Sequence, residues 1–196
     1  MITRPPRAVT RPPGTTWATH WETTLSAEEH VELAELLARA FPHTAAFGQG
    51  QSWAGSRPEL RIAGRIDGQL VAHAATIRRF LRAPDDDHDD HDVLVGDVGL
   101  VAVDPRHQGK HLGRDLMDEV ASTLARLELP FGFLTCGVDV EAFYRRHGWR
   151  KTYQPLHAID INHQVEIERR HGMVLPVHQA LETWPRGRLA RDGQEL

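Results

Sequence analysis

The stretch that most constrains this chain runs from Val93 to Asp118. It reads Val93-Leu-Val-Gly-Asp97-Val-Gly-Leu-Val-Ala-Val103, then Asp104-Pro105, then Gln108-Gly109-Lys110-His111-Leu112-Gly113-Arg114 and a run onward to Asp118. A mostly apolar run, a breaker, a short glycine-bearing basic turn and a helical repeat predict strand, loop and helix in that order. Leu112, Leu116, Val120, Leu124 and Leu127 recur at helical spacing, which lays one apolar face of the helix on a sheet, and Pro130 closes it. Backbone N–H groups at the opening of a helix point outward unpaired, and the positive end of the helix dipole lies there, so an anionic group docks readily. A diphosphate is the natural guest. The turn has neither the three glycines of a dinucleotide-binding fingerprint nor the Gly-Lys-Ser/Thr of a P-loop.

On either side of this stretch the chain alternates strand and helix patterns. Residues 1–15 carry four prolines and three arginines and almost nothing to bury, which predicts a disordered arm ahead of a single domain over 16–196. Trp17 to Leu25 reads as a first strand. Ser26 and Glu29 form a capping-box signature, and Leu33, Leu36, Leu37, Ala40 and Phe41 give the helix an apolar face that Pro42 ends. Phe47 to Glu59 is glycine-rich, polar and aromatic: either an acceptor-binding loop or a surface loop with Trp53 tucked inward. Leu60 to Arg65 and Leu70 to about Leu81 read as strands joined by a hairpin at Asp67-Gly68. The run Asp85 to Asp92, with six aspartates and two histidines, has no fixed set of ligand directions, so a solvated loop is expected rather than a metal site. Phe131 to Cys136 is a further strand, Asp139 to Gly148 a short helix capped by Asp139 at its start and Gly148 at its end, and Trp149 to about Ile161 and Met173 to Val177 the closing strands.

The formal charge of -4 leaves no dense basic stripe to neutralise phosphates, which argues against nucleic acid as a partner. No apolar run reaches the length of a membrane span, the start lacks a signal-peptide pattern, and Cys136 is the only cysteine. A cytoplasmic protein is expected.

The turn Gln108 to Gly113 resembles the acetyl-CoA pyrophosphate loop of the GNAT acyltransferases, commonly Arg/Gln-x-x-Gly-x-Gly/Ala, with His111 where the middle glycine is usual. One strand later, Ala142-Phe143-Tyr144-Arg-Arg-His-Gly148-Trp149 is similar to the GNAT segment A-x-x-F/L-Y-x-x-x-G-F/W, and also to aminoglycoside 2'-N-acetyltransferases. Two motifs in the right order imply the GNAT fold: α/β, a mixed central sheet of about six to seven strands flanked by helices. Ser52 to Glu59, Val71-Ala-His73-Ala with Arg78-Arg79-Phe80, Gly99-Leu100 with Ala102-Val103, Leu129 to Gly132, and the ending Trp184-Pro-x-Gly187 with Arg191-x-Gly-x-Glu195-Leu196 resemble the nodulation protein A family, from about Trp21 to the last residue. That family is similar to GNATs and moves a fatty acyl group onto the free amine of a chitooligosaccharide.

Acyl transfer to an amine requires a deprotonated amine, a polarised thioester and a proton for the leaving thiolate. Asp97, a carboxylate inside an apolar strand, is the candidate base, with a salt-bridged structural role as its alternative. The GNAT resemblance makes Tyr144 the candidate acid; otherwise it is a tyrosine packing on the sheet. It also implies that the Val101 N–H polarises the thioester, that the Val103 N–H holds pantetheine, and that Gln108, Gly109, Lys110, His111, Leu112, Gly113 and Arg114 bind the phosphates of acetyl-CoA or another acyl-CoA, with solvent-facing positions on the turn as the alternative for Lys110, His111 and Arg114; an acyl carrier protein is a further donor. Trp53 and Trp184 offer faces on which sugar rings stack, and Glu59, Asp192, Glu195 and the terminal carboxylate offer negative charge to a small-molecule amine. The residues after Trp184 hold too little apolar content to be fixed by burial, and are expected to fold back over the acceptor mouth. A homodimer is compatible with this reading. The rival to an enzyme is a GNAT-fold binding module that holds acyl-CoA or an amine metabolite without turnover.

Overall fold

A computed structural model describes residues 14–83, 91–159, 164–168 and 170–196. The expected arm therefore falls, over residues 1–13, outside the described residues, as does most of the Asp/His run. Ten strands make one mixed sheet: β1 (Thr15–Trp21), β2 (Leu60–Ile66), β3 (Gln69–Ala83), β4 (His91–Val103), β5 (Phe131–Cys136), β6 (Arg150–Lys151), β7 (Leu156–Ile159), β8 (Val165–Glu168), β9 (His171–Pro176) and β10 (Leu189–Arg191). Their spatial order is β6-β9-β5-β4-β3-β10-β7-β8, with β2 also pairing with β3 and β1 pairing with β2. The sheet exceeds the expected six to seven strands because β6, β8 and β10 span only 2, 4 and 3 residues, too short to print an alternating pattern. The expected strand from Trp149 to Ile161 is broken after Lys151 and resumes at Leu156.

Among the described residues, four helices cover the sheet: α1 (Ala27–Ala40), α2 (Ala45–Gly48), α3 (Leu112–Arg126) and α4 (Glu141–Arg146). The capping box of α1 is formed: the Glu29 N–H donates to the Ser26 hydroxyl at 3.2 Å and the Ser26 N–H to the Glu29 carboxylate at 2.8 Å. At the β2 to β3 turn, Asp67 and Gly68 both take positive φ, 49° and 82°, as the tight hairpin requires. One expectation fails locally. Asp139 does not cap α4, whose N-cap is Val140 with no side-chain bond, because Val140 is already in the helical region and shifts the start by one residue.

Alternation along the strands divides the core. Ala63, Ala75 and Ala102 face α1 and α2, under Leu33, Leu36, Leu37 and Phe47. Ile62, Ala74 and Val98 face α3 and α4, under Leu116, Val120, Leu124 and Tyr144. Burial of the aliphatic side chains of α3 contributes roughly 1.5–3 kcal/mol apiece. Gly132 leaves the sheet flat beneath Leu124, since a Cβ there would lie 2.7 Å from that side chain. A third cluster joins Phe131 and Phe133 of β5 to Leu156 of β7 and Leu189 of β10.

The site is positioned by a divergence in mid-sheet. β4 pairs with β5 only through Val95, Gly96 and Asp97, opposite Phe131, Gly132 and Phe133. Beyond Asp97, β4 continues to Val103 along β3, while β5 continues to Cys136 along β9. A bulge accompanies the separation: Ala75 faces Gly99 and His73 faces Ala102, so Leu100 and Val101 together face Ala74. Leu100 sits at φ +53°, in the left-handed region. An extra residue of this kind bends and twists its strand, which opens a V between β4 and β5.

Candidate functional site

At the far end of β4 the chain makes a single 3-10 turn over Pro105–His107, opened by Asp104, whose carboxylate accepts the Arg106 N–H at 2.9 Å. Gly109 at φ +78° and His111 at φ +66° then bend the backbone into α3. His111 occupies a conformation that costs a side-chain-bearing residue about 1 kcal/mol. The first backbone bonds of the helix are the Arg114 and Asp115 N–H groups donating to the His111 carbonyl, at 3.0 and 3.2 Å. Among the described residues, none of the N–H groups from Gln108 to Gly113 has an acceptor in the protein. Gln108, Lys110, His111 and Arg114 are exposed around this row, whereas Leu112 is buried and contributes its backbone alone. By the physics of helix openings, a row of this kind can receive an anion.

In the gap itself lies a cavity of about 360 Å³, lined by Asp97 to Val101, by Thr135 to Gly137, by Val140 and Tyr144, by Phe41, Thr44 and Phe47 at the α1–α2 corner, and by Ala54, Gly55, Arg170, Glu195 and Leu196. Both candidate catalytic residues are among those that line it. The Asp97 side chain is buried, with one carboxylate oxygen 3.2 Å from Arg79 Nε and 3.9 Å from Arg191 Nη1, and that oxygen has no hydrogen-bond partner. Burial raises its pKa above the ordinary aspartate value, against the opposing charges of Arg79 and Arg191. Tyr144 is also buried, between Phe143 and Trp149, and burial pushes its phenol well above the usual range, with Cys136 adding to the shift. It is therefore a neutral hydroxyl, and among the described residues it has no internal hydrogen-bond partner. The neighbouring Phe143 ring lies against this turn, 3.2 Å from where a Gly113 Cβ would stand, so adjacent residues of α4 touch both parts of the site.

The carboxy-terminal segment reaches the cavity, which Glu195 and Leu196 line. Ser56 donates its N–H to the Glu195 carbonyl at 2.7 Å and its hydroxyl to the Gln194 carbonyl at 2.6 Å. Arg79 donates to the Gln194 carbonyl at 2.9 Å, and Thr135 donates its hydroxyl to the Glu195 carboxylate at 2.9 Å. Arg170 pairs with the same carboxylate at 2.5 Å. Leu196 packs over Gly99, where a Cβ would come 2.5 Å from its own Cβ.

Other candidate acceptor residues lie elsewhere. The Trp53 ring packs edge-on against His30 of α1, with the Arg57 guanidinium 5.0 Å over its face, so its neighbours Ala54 and Gly55 line the cavity instead. Glu59 is engaged by Arg78 through hydrogen bonds that hold its pKa below the ordinary value, outside the cavity. Trp184 belongs to the third cluster: its ring stacks on Phe133 at 6.0 Å and its N–H donates to Gln154 at 2.7 Å. Asp192 is exposed and outside the lining. The burial expected to be lacking after Trp184 is supplied by Leu189, which is fully buried. Conversely, Arg79, Thr135, Arg170 and Arg191 join the site without having been singled out for it. Arg79 had a signal in its parity, since it shares a face of β3 with Leu81 and Ala83, both buried.

Comparison with known proteins places this architecture. The family model described as Nodulation protein A (NodA) matches residues 14–196. Nodulation protein A of Bradyrhizobium sp. (strain NC92) is 31% identical over 201 residues, covering 94% of this chain and 93% of that protein. The Sinorhizobium terangae counterpart is 29% identical over 196 residues, covering 92% and 97%. Among solved structures, the GNAT family N-acetyltransferase YhbS of Escherichia coli in complex with CoA aligns with a TM-score of 0.59 at 18% identity, covering 91% of each chain. Escherichia coli ElaA aligns with a TM-score of 0.55 at 20% identity, over 82% of this chain and 99% of that one. The fold is that of the GNAT proteins.

Proposed function

This chain belongs to the nodulation protein A family, and from that premise we propose that it transfers an acyl group from acyl-CoA to a primary amine of an amino sugar or aminoglycoside-like acceptor. The observation that carries the reading is the gap between β4 and β5, which has unpaired N–H groups at its far end and both Asp97 and Tyr144 among the residues lining its cavity. Residues 108–113 would hold the diphosphate of the donor, with Lys110, His111 and Arg114 adding positive charge, and the donor supplies a thioester. The Val103 N–H would hold the pantetheine arm in a strand-like ladder and the Val101 N–H would polarise the thioester carbonyl.

Asp97 takes a proton from the attacking amine, directly or through one water, and its raised pKa makes it a better base than an exposed aspartate. Tyr144 gives its proton to the departing sulfur. Across the cycle, N–H and C–S bonds break and N–C and S–H bonds form, so one proton passes from nitrogen to sulfur. Glu195, held by Thr135 and Arg170 at the cavity wall, is the acidic group for the acceptor's ammonium. No helix among the described residues is long and apolar enough to cross a membrane.

A second reading has an observation of its own: Arg79 and Arg191 both face Asp97, as in a structural ion-pair network. On that reading the chain is a GNAT-fold module that binds acyl-CoA or an amine metabolite without turnover. Free-thiol release from acetyl-CoA and longer acyl-CoAs, against a panel of amino sugars and aminoglycosides, separates the two. Amine-dependent thiol release supports the enzyme; CoA binding with no release under any acceptor supports the module.

A further inference from the structure

His73 of β3 is completely buried on the α1 side of the sheet. Its Nδ1 lies 2.9 Å from the Leu100 carbonyl, which can only accept, so Nδ1 carries the proton. Its Nε2 has no partner. A buried acceptor left unsatisfied costs about 1–3 kcal/mol, and an apolar side chain at this position would avoid that cost. What distinguishes an imidazole from an apolar side chain here is the hydrogen bond it donates. Its one hydrogen bond falls on Leu100, the residue that holds the bulge in the left-handed region, a conformation that costs a leucine about 1–2 kcal/mol. Burial and the nearby Arg61 charge keep the ring neutral down to a pKa of about 3, so this donor persists across the working pH range.

We propose that His73 is a positioning residue for acyl transfer: by donating to the Leu100 carbonyl it locks the β4 bulge and so aims the Val101 N–H that polarises the thioester. The proposal rests on the acyl-transfer reading. It separates His73 from a core-filling role, because the lock acts on the carbonyl of the bound thioester and not on cofactor affinity.

Three variants test it. His73→Asn keeps an N–H near the position of Nδ1, His73→Gln carries its amide past that position, and His73→Leu removes the donor. The readouts are the infrared carbonyl stretch of acetyl-CoA labelled with ¹³C at the thioester, the kcat for amine acylation, and the CoA dissociation constant. In the wild type the stretch should fall to lower frequency on binding. In the leucine and glutamine variants it should return toward the free value and kcat should drop roughly ten- to a hundredfold, a partial version of losing one oxyanion donor. CoA affinity should stay within about a factor of two, and asparagine should restore both band and turnover to within a few fold. A folded glutamine or leucine variant with the wild-type band and kcat overturns the role of His73 alone. A wild-type protein whose band does not move on binding overturns thioester polarisation as well.

Discussion

Gly55 offers a way to disturb the acceptor side without touching a charged group. A Cβ at this position would stand far inside 3.0 Å of the Glu195 carbonyl oxygen and 3.3 Å from its carbon, and both are backbone atoms that no rotamer change can move. Gly55→Ala must therefore push residues 194–196 away from the loop. The bonds at risk are the Ser56 N–H to the Glu195 carbonyl at 2.7 Å and the Ser56 hydroxyl to the Gln194 carbonyl at 2.6 Å. Each such bond contributes about 1 kcal/mol net. Losing two shifts the docked-to-undocked ratio of the segment by about 2 kcal/mol, roughly thirtyfold. If Glu195 recruits the acceptor ammonium and residues 108–113 hold CoA, the acceptor KM should rise by up to about thirtyfold while CoA affinity stays unchanged. Steady-state kinetics against acceptor and thermal shift with CoA read the two effects, and amide hydrogen exchange at residues 193–196 reports whether the segment has left. A segment released by that measure with an unchanged acceptor KM would refute the placement of Glu195 at the acceptor.

Four further outcomes are expected. Tyr144→Phe should lower kcat at least tenfold with little change in donor KM, because only the proton delivered to sulfur is lost; pre-steady-state thiol release checks it. Gly109→Pro should abolish the rise in melting temperature caused by CoA, since φ +78° is closed to proline and an N–H of the turn disappears. Glu22→Gln should destabilise the fold by about 3 kcal/mol in urea, leaving the buried Arg61 guanidinium without its 2.6 Å ion partner. Burial opposes ionisation of Glu22, yet Arg61 and Arg57 hold its folded pKa below the ordinary value, so its contribution is present above that value and is lost as pH falls through the folded pKa. Deletion after Arg191 should leave a folded protein with weakened acceptor binding, whereas deletion after Thr183 should cost several kcal/mol by removing buried Leu189 and the Trp184 ring, a difference that melting curves resolve.

Elements with a strong local signal were legible in the sequence. Ser26 and Glu29 announced the start of α1, Asp67-Gly68 the hairpin, and the spacing of Leu112, Leu116, Val120 and Leu124 the buried face of α3. Asp97 stood out as a carboxylate inside an apolar strand and Tyr144 through its resemblance to the GNAT segment, and both residues line the cavity. The misplacements have a common cause. Trp53, Glu59 and Trp184 carry chemistry suited to sugars, but each found a partner elsewhere, in His30, Arg78 and Phe133, and those pairings depend on three-dimensional neighbours that a one-dimensional pattern does not encode. β10 escaped notice because three residues cannot establish a period.

That short strand also dictates an order of assembly. Among the described residues, β7 and β8 reach the rest of the sheet only through β10, which pairs parallel with β7 on one side and antiparallel with β3 on the other. Residues 156–168 are therefore made before the strand that ties them in, and until residues 189–191 leave the ribosome their hairpin keeps an open edge, a template for pairing with other chains. Catalytic competence would follow the same schedule: Arg191 faces Asp97, and Glu195 closes the cavity. A nascent chain halted before Leu189 should thus be inactive and prone to association, and both properties should change together as the last few residues are added.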